Sequence, residues 1–262
     1  MENSKEILSG KRVVLTRALH QNNKFVELLK HYGAIPVIFP TIEIHTIEDT
    51  TFIDEAIQNI STFDYLIFTS SNAVEIFENR FKHLTGSFVL PNKLKIIAVG
   101  KSTANVLSSY GINNIKVPEE FMSSEIPNIL TEIKGSKILI PCSELSKDDL
   151  AINLKQKGAE VHSIKIYENR TPEIIDISVL DNHIDYLTFT SPSTVDGWLK
   201  IIKKYNIKLS NEFVEVAIGN VTTEAAKEAG INVDITAKVQ TIEGMIDAMI
   251  KYENSLKVTA NN

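Results

Sequence analysis

Residues 63–77 read FDYLIFTSSNAVEIF, and residues 184–198 read IDYLTFTSPSTVDGW. The two stretches align without a gap at an offset of 121 and share Asp, Tyr, Leu, Phe, Thr, Ser and Val. Each is a run of strand-forming residues that ends in Thr-Ser, turns through small polar residues and passes into an amphipathic helical pattern. Such a turn leaves backbone N–H groups and hydroxyls at a helix N-terminus, which suits an anionic ligand. Two of them in one chain point to two similar halves with something bound between them.

Working outward, the same order of elements surrounds both copies. Residues 12–16 (RVVLT) form a short apolar strand. A helix over 22–32 follows, with Phe25, Leu28 and Leu29 on one face and Gly33 where a helix-ending glycine belongs. Residues 35–45 (IPVIFPTIEIH) are extended, and Pro36 and Pro40 make the run an edge strand or a connector. A helix over 51–60 leads into the first copy. After it come a strand at 94–99, a turn at 100–103, a helix over 104–110 and a short strand at 114–117. Ser123 and Ser124 then cap a helix reaching about residue 133.

The order restarts with a strand at 137–140 and a helix over 148–157. Gly158 lies 125 residues after Gly33, and an extended run ends at Tyr167. The second copy follows, then a strand at 214–218, a turn at 219–222, a helix over 223–229, a strand at 232–236 and a helix over 242–252. The polar tail 257–262 is expected to fray. Strands alternating with helices predict an α/β fold with parallel sheets, helices on both faces and right-handed crossovers. Taken alone, this pattern splits the chain near residue 135.

At 262 residues, 43% of them hydrophobic, the chain has enough apolar material for two cores. Its formal charge of −6 argues against nucleic-acid binding, so an anionic ligand must be met by local donors. A single cysteine, Cys142, excludes an intramolecular disulfide and fits a reducing compartment. The opening MENSKEILSG has no apolar targeting core, and no stretch approaches the ~18 apolar residues of a membrane span. A soluble cytoplasmic protein, with no membrane partner, is expected.

In sheets of this kind, ligands bind at the carboxyl ends of strands where the strand order switches. Four turns qualify: Thr69-Ser70-Ser71-Asn72, Thr190-Ser191-Pro192-Ser193, 100–103 and 219–222. The plainer alternative makes Ser71 or Asn72, Ser193 or Thr194, Thr103 and Thr222 simple helix N-caps. Gly100-Lys101-Ser102 is not a nucleotide phosphate loop, because Lys95 stands where the first glycine would be needed. The six histidines lack zinc-ligand spacing, and no Gly-x-Ser-x-Gly elbow occurs, which disfavours metal and covalent serine chemistry. Tyr167 ends the second connector opposite Ile42 in the duplication, so one half carries a hydroxyl that the other lacks. Its neutral phenol can donate a hydrogen bond. Arg17 follows the first strand, where it either meets a carboxylate or is solvated.

With these residues in hand, the chain resembles the uroporphyrinogen-III synthases. The resemblance rests on VVLTR at 13–17, FPTIEI at 39–44, FTSSNAV at 68–74, AVGKSTA at 98–104, the connector with Tyr167, FTSPSTV at 189–195 and AIGNVTTEA at 217–225. Each fragment is weak, while their order and spacing are specific. Asn220 departs from a usual proline, and Asn169 from a threonine that often follows the tyrosine.

The resemblance implies two flavodoxin-like domains, interleaved in sequence and joined by a two-stranded β-ladder. Residues 1–37 and 172–262 would form the first, 46–160 the second, and 38–45 with 161–171 the ladder. It implies a lyase that cyclises hydroxymethylbilane through a spiro intermediate, with loss of water and inversion of ring D, in haem biosynthesis. Neither metal nor organic cofactor would take part, and a monomer is expected. Tyr167 would assist hydroxyl departure. Thr103, Ser191, Ser193 and Thr222 would bind substrate, with Ser70 their counterpart and Arg17 a further carboxylate contact. The alternative from another class is a non-catalytic, hinged two-domain binder or sensor, in which Tyr167 is a ligand contact only.

Overall fold

The computed structural model describes residues 6–119, 123–209 and 212–260, the last three without their side chains. In chain order the strands and helices begin β1 (Arg12–Leu15), α1 (Asn23–His31), β2 (Ile35–Ile38), β3 (Glu43–Thr46), α2 (Thr51–Gln58), β4 (Tyr65–Phe68) and α3 (Ser71–Thr85). There follow β5 (Lys95–Ala98), α4 (Lys101–Ser109), β6 (Ile115–Lys116), α5 (Ile126–Ile129), β7 (Lys137–Ser143), α6 (Asp149–Gln156) and β8 (Glu160–Arg170). The chain closes with β9 (Tyr186–Phe189), α7 (Pro192–Tyr205), β10 (Val214–Ala217), α8 (Asn220–Glu228), β11 (Ile235–Thr236) and α9 (Ile242–Ala260).

Two compact units result. Met1–Glu43 and Arg170–Asn262 make one, and Ile44–Asn169 the other. The first holds a five-stranded sheet in the order β11-β10-β9-β1-β2, and the second sheet runs β3-β8-β7-β4-β5-β6. Strands pair in parallel from β2 across to β11, and from β8 across to β6. In the first unit the strand order reverses between β1 and β9, and in the second between β7 and β4. Those are the switch points of the two sheets.

The duplicated strands explain the architecture. Tyr65–Phe68 and Tyr186–Phe189 are buried at every position, so both faces of each sheet must be covered by helices. On one side of the second sheet Leu66 and Phe68 pack with Phe77 and Phe81 of α3, and on the other Tyr65 and Ile67 pack with Leu150 and Leu154 of α6. In the first unit Tyr186 joins Phe25, Leu29 and Met249, while Leu187 and Phe189 join Trp198 and Ile201. Burying one such apolar side chain contributes about 1.5–3 kcal/mol.

The aspartate before each copy acts in the same way in both units. Asp64 accepts from the Lys137 N–H at 2.8 Å, and Asp185 from the Arg12 N–H at 2.9 Å. Each carboxylate thereby satisfies the first donor of the neighbouring strand and fixes its register. Inside the first unit, the Tyr186 hydroxyl donates to Glu253 of α9, and Lys11 lies 3.2 Å from that carboxylate. Burial, reinforced by the Glu253 carboxylate, holds the Tyr186 phenol well above its ordinary range.

Several local expectations are corrected. The extended run 35–45 is two strands of different sheets, because Phe39–Ile42 leaves β2 and packs against β1 and α7. Pro36 sits on β2, an edge strand, where a missing donor is tolerated. The helix after Ser123 is a 3-10 turn followed by the single turn α5, with Pro127 in its first turn and Leu130 already extended. The C-terminal helix continues to Ala260, while Asn261 and Asn262 lie outside the described residues.

Glu215 of β10 yields a stability test. It is half-buried, and its own N–H donates to Asp234 at 2.9 Å. Burial first, and then the Asp234 carboxylate, push the Glu215 carboxyl up to about 7. A carboxyl raised on folding stabilises the protein below its unfolded pKa, and that contribution is lost as pH climbs through the folded value. Urea denaturation should therefore show wild-type stability falling between about pH 4.5 and pH 7. Glu215→Gln should be the flatter of the two, and the more stable at pH 8. Parallel profiles for both proteins would contradict this.

Candidate active site

In the second unit, Ser70 is the N-cap of α3. Its backbone is extended, and its hydroxyl accepts from the Ala73 N–H at 3.1 Å. The same hydroxyl lies 2.9 Å from the Tyr167 phenol oxygen. Ser70 follows β4 and Tyr167 lies on β8, so they meet beside the β7/β4 switch point. Tyr167 is 4% exposed. Its aim depends on an irregularity: Cys142 pairs with Lys165, whereas Ser143 pairs with Tyr167, so Ile166 is the extra residue. Strict alternation would send Ile166 and Tyr167 to opposite faces, yet both join one apolar cluster.

Burial raises the Tyr167 phenol above its ordinary value, opposed by hydrogen bonds from Ser70, Ser143 and Asn72. The group is therefore a neutral donor at physiological pH. Thr103 lies in the first turn of α4, 5% exposed, behind the N-cap Gly100. The Ser71 and Ser102 hydroxyls, 3.1 Å apart, tie the starts of α3 and α4 together. Tyr167, Ser70 and Thr103 thus gather at the carboxyl edge of one sheet.

The first unit repeats the plan with different contents. Ser191 is the N-cap of α7, Pro192 occupies the first turn, and the Ser191 and Ser193 hydroxyls are 2.9 Å apart. Thr222 sits in the first turn of α8, 3% exposed, behind the N-cap Gly219. Arg17 follows β1, and its Nε donates to Gln21 Oε1 at 2.8 Å. Arg17, Ser191 and Ser193 flank the β1/β9 switch point.

The N-caps are Ser70, Ser191, Gly100 and Gly219, in place of Ser71 or Asn72, Ser193 or Thr194, Thr103 and Thr222. The helices begin earlier than their apolar periodicity suggests, because the first turn is polar. Asn220 is the first residue of α8, a position that accepts proline because its N–H has no helical partner. Its replacement of proline leaves the helix start intact.

Sequence reasoning missed Ser143 and the threonines Thr16, Thr41 and Thr188, all buried, and gave Thr194, also buried, only as a cap. It also missed a cavity of about 240 Å³ within the second unit, walled by Ile53, Ile76, Phe77 and Ile166. The cations Arg80 and Lys165 at this cavity are already engaged: Arg80 holds Asp54 and Thr50, and Lys165 donates to the Ser146 carbonyl at 2.8 Å. Among the described residues, no group of three or more His, Cys, Asp or Glu side chains could hold a metal ion. No helix among them is long and apolar enough to cross a membrane.

Fold and site together define a duplicated α/β protein whose strand ends present hydroxyl-bearing helix N-termini, with the Tyr167 phenol set against one of them in the second unit. A family model described as "Uroporphyrinogen-III synthase HemD" matches residues 23–247. The chain belongs to the uroporphyrinogen-III synthase family. It is 29% identical over 256 residues to the uroporphyrinogen-III synthase of Synechococcus elongatus, covering 94% of this chain and 96% of that protein. With the Chlorobaculum parvum synthase it shares 31% identity, over 86% of this chain and 92% of that one. It is also 30% identical to the "Porphyrin biosynthesis protein HemD" of Ruminiclostridium josui over 94% of its own length, but spans only 49% of that relative. Among solved structures, a mutant uroporphyrinogen III synthase from Thermus thermophilus superposes with a TM-score of 0.60 at 17% identity, covering 94% of this chain and 99% of that one. The Helicobacter pylori uroporphyrinogen-III synthetase does so at 0.54 and 18%, covering 93% and 99%. These two structures share the fold.

The geometry at Tyr167 predicts a late phenol titration. In an alkaline absorbance titration, the step that Tyr167→Phe removes should lie above pH 10.0, the ordinary tyrosine value. Ser70→Ala should move that step and, by removing a helix cap, cost about 1 kcal/mol of stability. A Tyr167 step below the ordinary value would overturn this assignment of the phenol as a neutral donor.

Proposed function

We propose that this chain cyclises linear hydroxymethylbilane to uroporphyrinogen III, with loss of water and inversion of ring D, as a cofactor-independent lyase of porphyrin biosynthesis. The observation that carries the proposal is the neutral Tyr167 phenol, 2.9 Å from Ser70, in a member of this family. Ser70 is both an acceptor from the α3 N-terminus and a partner of the phenol. When the Ser70 hydroxyl donates to the phenol oxygen, the phenol proton is left for the substrate's departing hydroxyl.

Protonated in this way, the hydroxyl leaves as water and an azafulvene cation remains. The substituted carbon of ring D attacks it, the spiro-pyrrolenine that forms fragments and recloses with ring D inverted, and the proton lost from the reclosed ring carbon neutralises the product and restores the Tyr167 phenol. Unaided closure gives isomer I, so the protein's task is orientation together with stabilisation of the cation. Substrate carboxylates are met by the hydroxyls and N–H groups of the helix starts: Thr103 in the second unit, Ser191, Ser193 and Thr222 in the first, and Arg17 as a cationic contact. Each exposed interaction of this kind contributes about 0.3–1 kcal/mol.

In this reading the two units are interleaved flavodoxin-like domains joined through a β-ladder that includes the strand bearing Tyr167. The protein works as a cytoplasmic monomer, and its negative charge argues against a nucleic-acid partner.

Turnover of hydroxymethylbilane, with chromatographic separation of isomers III and I, tests the proposal. Wild-type protein should yield isomer III. Tyr167→Phe keeps the ring but loses the donor, which should raise the barrier by about 2–4 kcal/mol and shift the product toward isomer I. Pure isomer III at the wild-type rate from that variant would remove Tyr167 from the mechanism. Tight binding by the wild type without any product would make the protein a binder.

A further inference from the structure

Resting on the reading of Ser191 and Ser193 as substrate contacts, we propose that Thr41 is a positioning residue that sets the N-terminus of α7. It lies in the connector after β2 and is fully buried. Its N–H donates to the Thr16 carbonyl at 2.9 Å. Its hydroxyl proton is shared between two carbonyls, that of Thr194 at 2.9 Å and that of Thr16 at 3.1 Å.

Thr194 carries the connection to the binding residues. Its hydroxyl donates to the Ser191 carbonyl at 2.7 Å and accepts from the N–H groups of Thr190 and Ser191 at 3.2 and 3.3 Å. Behind them, the Thr16 hydroxyl donates to the Thr188 carbonyl, and Thr188 to the Val14 carbonyl, both at 2.7 Å. Four threonines of 0% exposure thus link β1, β9, the connector and the first turn of α7. Buried hydroxyls are costly unless bonded, so this chain specifies one arrangement of its members.

Backbone contact sets the same geometry a second time. A Cβ at Gly197 would lie 2.2 Å from the Thr41 carbonyl oxygen, so only glycine lets helix and connector approach this closely.

The duplication supplies a control. Gly197 and Ile76 both lie six residues after their N-caps, Ser191 and Ser70. Arg12 pairs with Ile35 as Lys137 pairs with Glu160, which matches Thr41 to Ile166. In the second unit the matching residues, Ile76 and Ile166, are apolar and both line the 240 Å³ cavity. The fold therefore does not require a glycine or a threonine at this place. The closed polar contact occurs only where it fixes the backbone of Ser191 and Ser193.

The test combines turnover with amide exchange. Thr41→Val keeps the branched shape and removes the hydroxyl, while Thr41→Ser keeps the hydroxyl. Thr41→Val should raise KM for hydroxymethylbilane about tenfold, with kcat changed by less than about twofold and more isomer I. Thr41→Ser should restore most of the wild-type KM. Exchange in a peptide covering 190–196 should accelerate in Thr41→Val, while peptides from β1 exchange as in wild type. Should Thr41→Val fail to fold, Gly197→Ala keeps every hydroxyl, displaces the helix start and should raise KM similarly. A lowered melting temperature with KM, isomer ratio and 190–196 exchange unchanged would make Thr41 a packing residue and overturn the proposal. A loss confined to kcat would overturn it as well. If wild-type protein makes no isomer III, the functional reading fails separately, and exchange at 190–196 still decides whether Thr41 positions α7.

Discussion

Complete burial of the two central strands is the constraint from which the rest of the structure follows. Tyr65–Phe68 and Tyr186–Phe189 have no wet face, so each must be sandwiched between helices. Helices on both faces require strands within a sheet to be linked by crossovers, and crossovers make neighbouring strands parallel. Parallel strands in turn deliver every strand-to-helix junction to the same edge of the sheet. The gathering of helix N-termini at one edge is thus a consequence of apolar burial. Ligand binding makes use of an edge that the core has already created.

At that edge the two units diverge. The second unit places a phenol against the N-cap serine, with a bulge in β8 aiming it. The first has no such phenol, since Ile42 stands in the equivalent place, and instead carries a closed chain of threonine hydroxyls. At the opposite edge the units remain alike, with Asp64 and Asp185 each holding the first N–H of the neighbouring strand. The aspartate contacts, which only hold the fold, have kept their symmetry, whereas the strand ends where chemistry is proposed have not.

Much of this was legible in the sequence. A repeat aligned without gaps specifies two similar units. The β-branched and aromatic runs without alternation specify strands buried on both faces. The Thr-Ser endings locate the starts of α3 and α7 to within a residue or two and mark Ser70 and Ser191, while Thr103 and Thr222 lie in the two glycine turns and take their expected role from the family resemblance. Their error of position has a simple cause: hydrophobic periodicity begins one turn inside the helix, while the cap is polar. The reading of 35–45 as an edge strand or connector is right, but local propensity cannot say that the run divides into edge strands of two different sheets.

By itself, then, the sequence determined the class of most elements, the duplication, and the identities of the polar residues at the strand ends. Those are local properties, set by backbone preference and the spacing of apolar side chains. The tertiary structure alone decided which chain segments share a sheet, since Met1–Glu43 joins Arg170–Asn262 across more than a hundred residues of intervening chain. It alone turned Tyr167 toward Ser70, through a register shift that no spacing rule marks. It alone brought the Thr41 carbonyl so close to Gly197 that a side chain has no room. Each of these is a contact between residues far apart in the chain, selected by how buried surfaces fit and by which donors find acceptors. No local stretch of sequence carries that information.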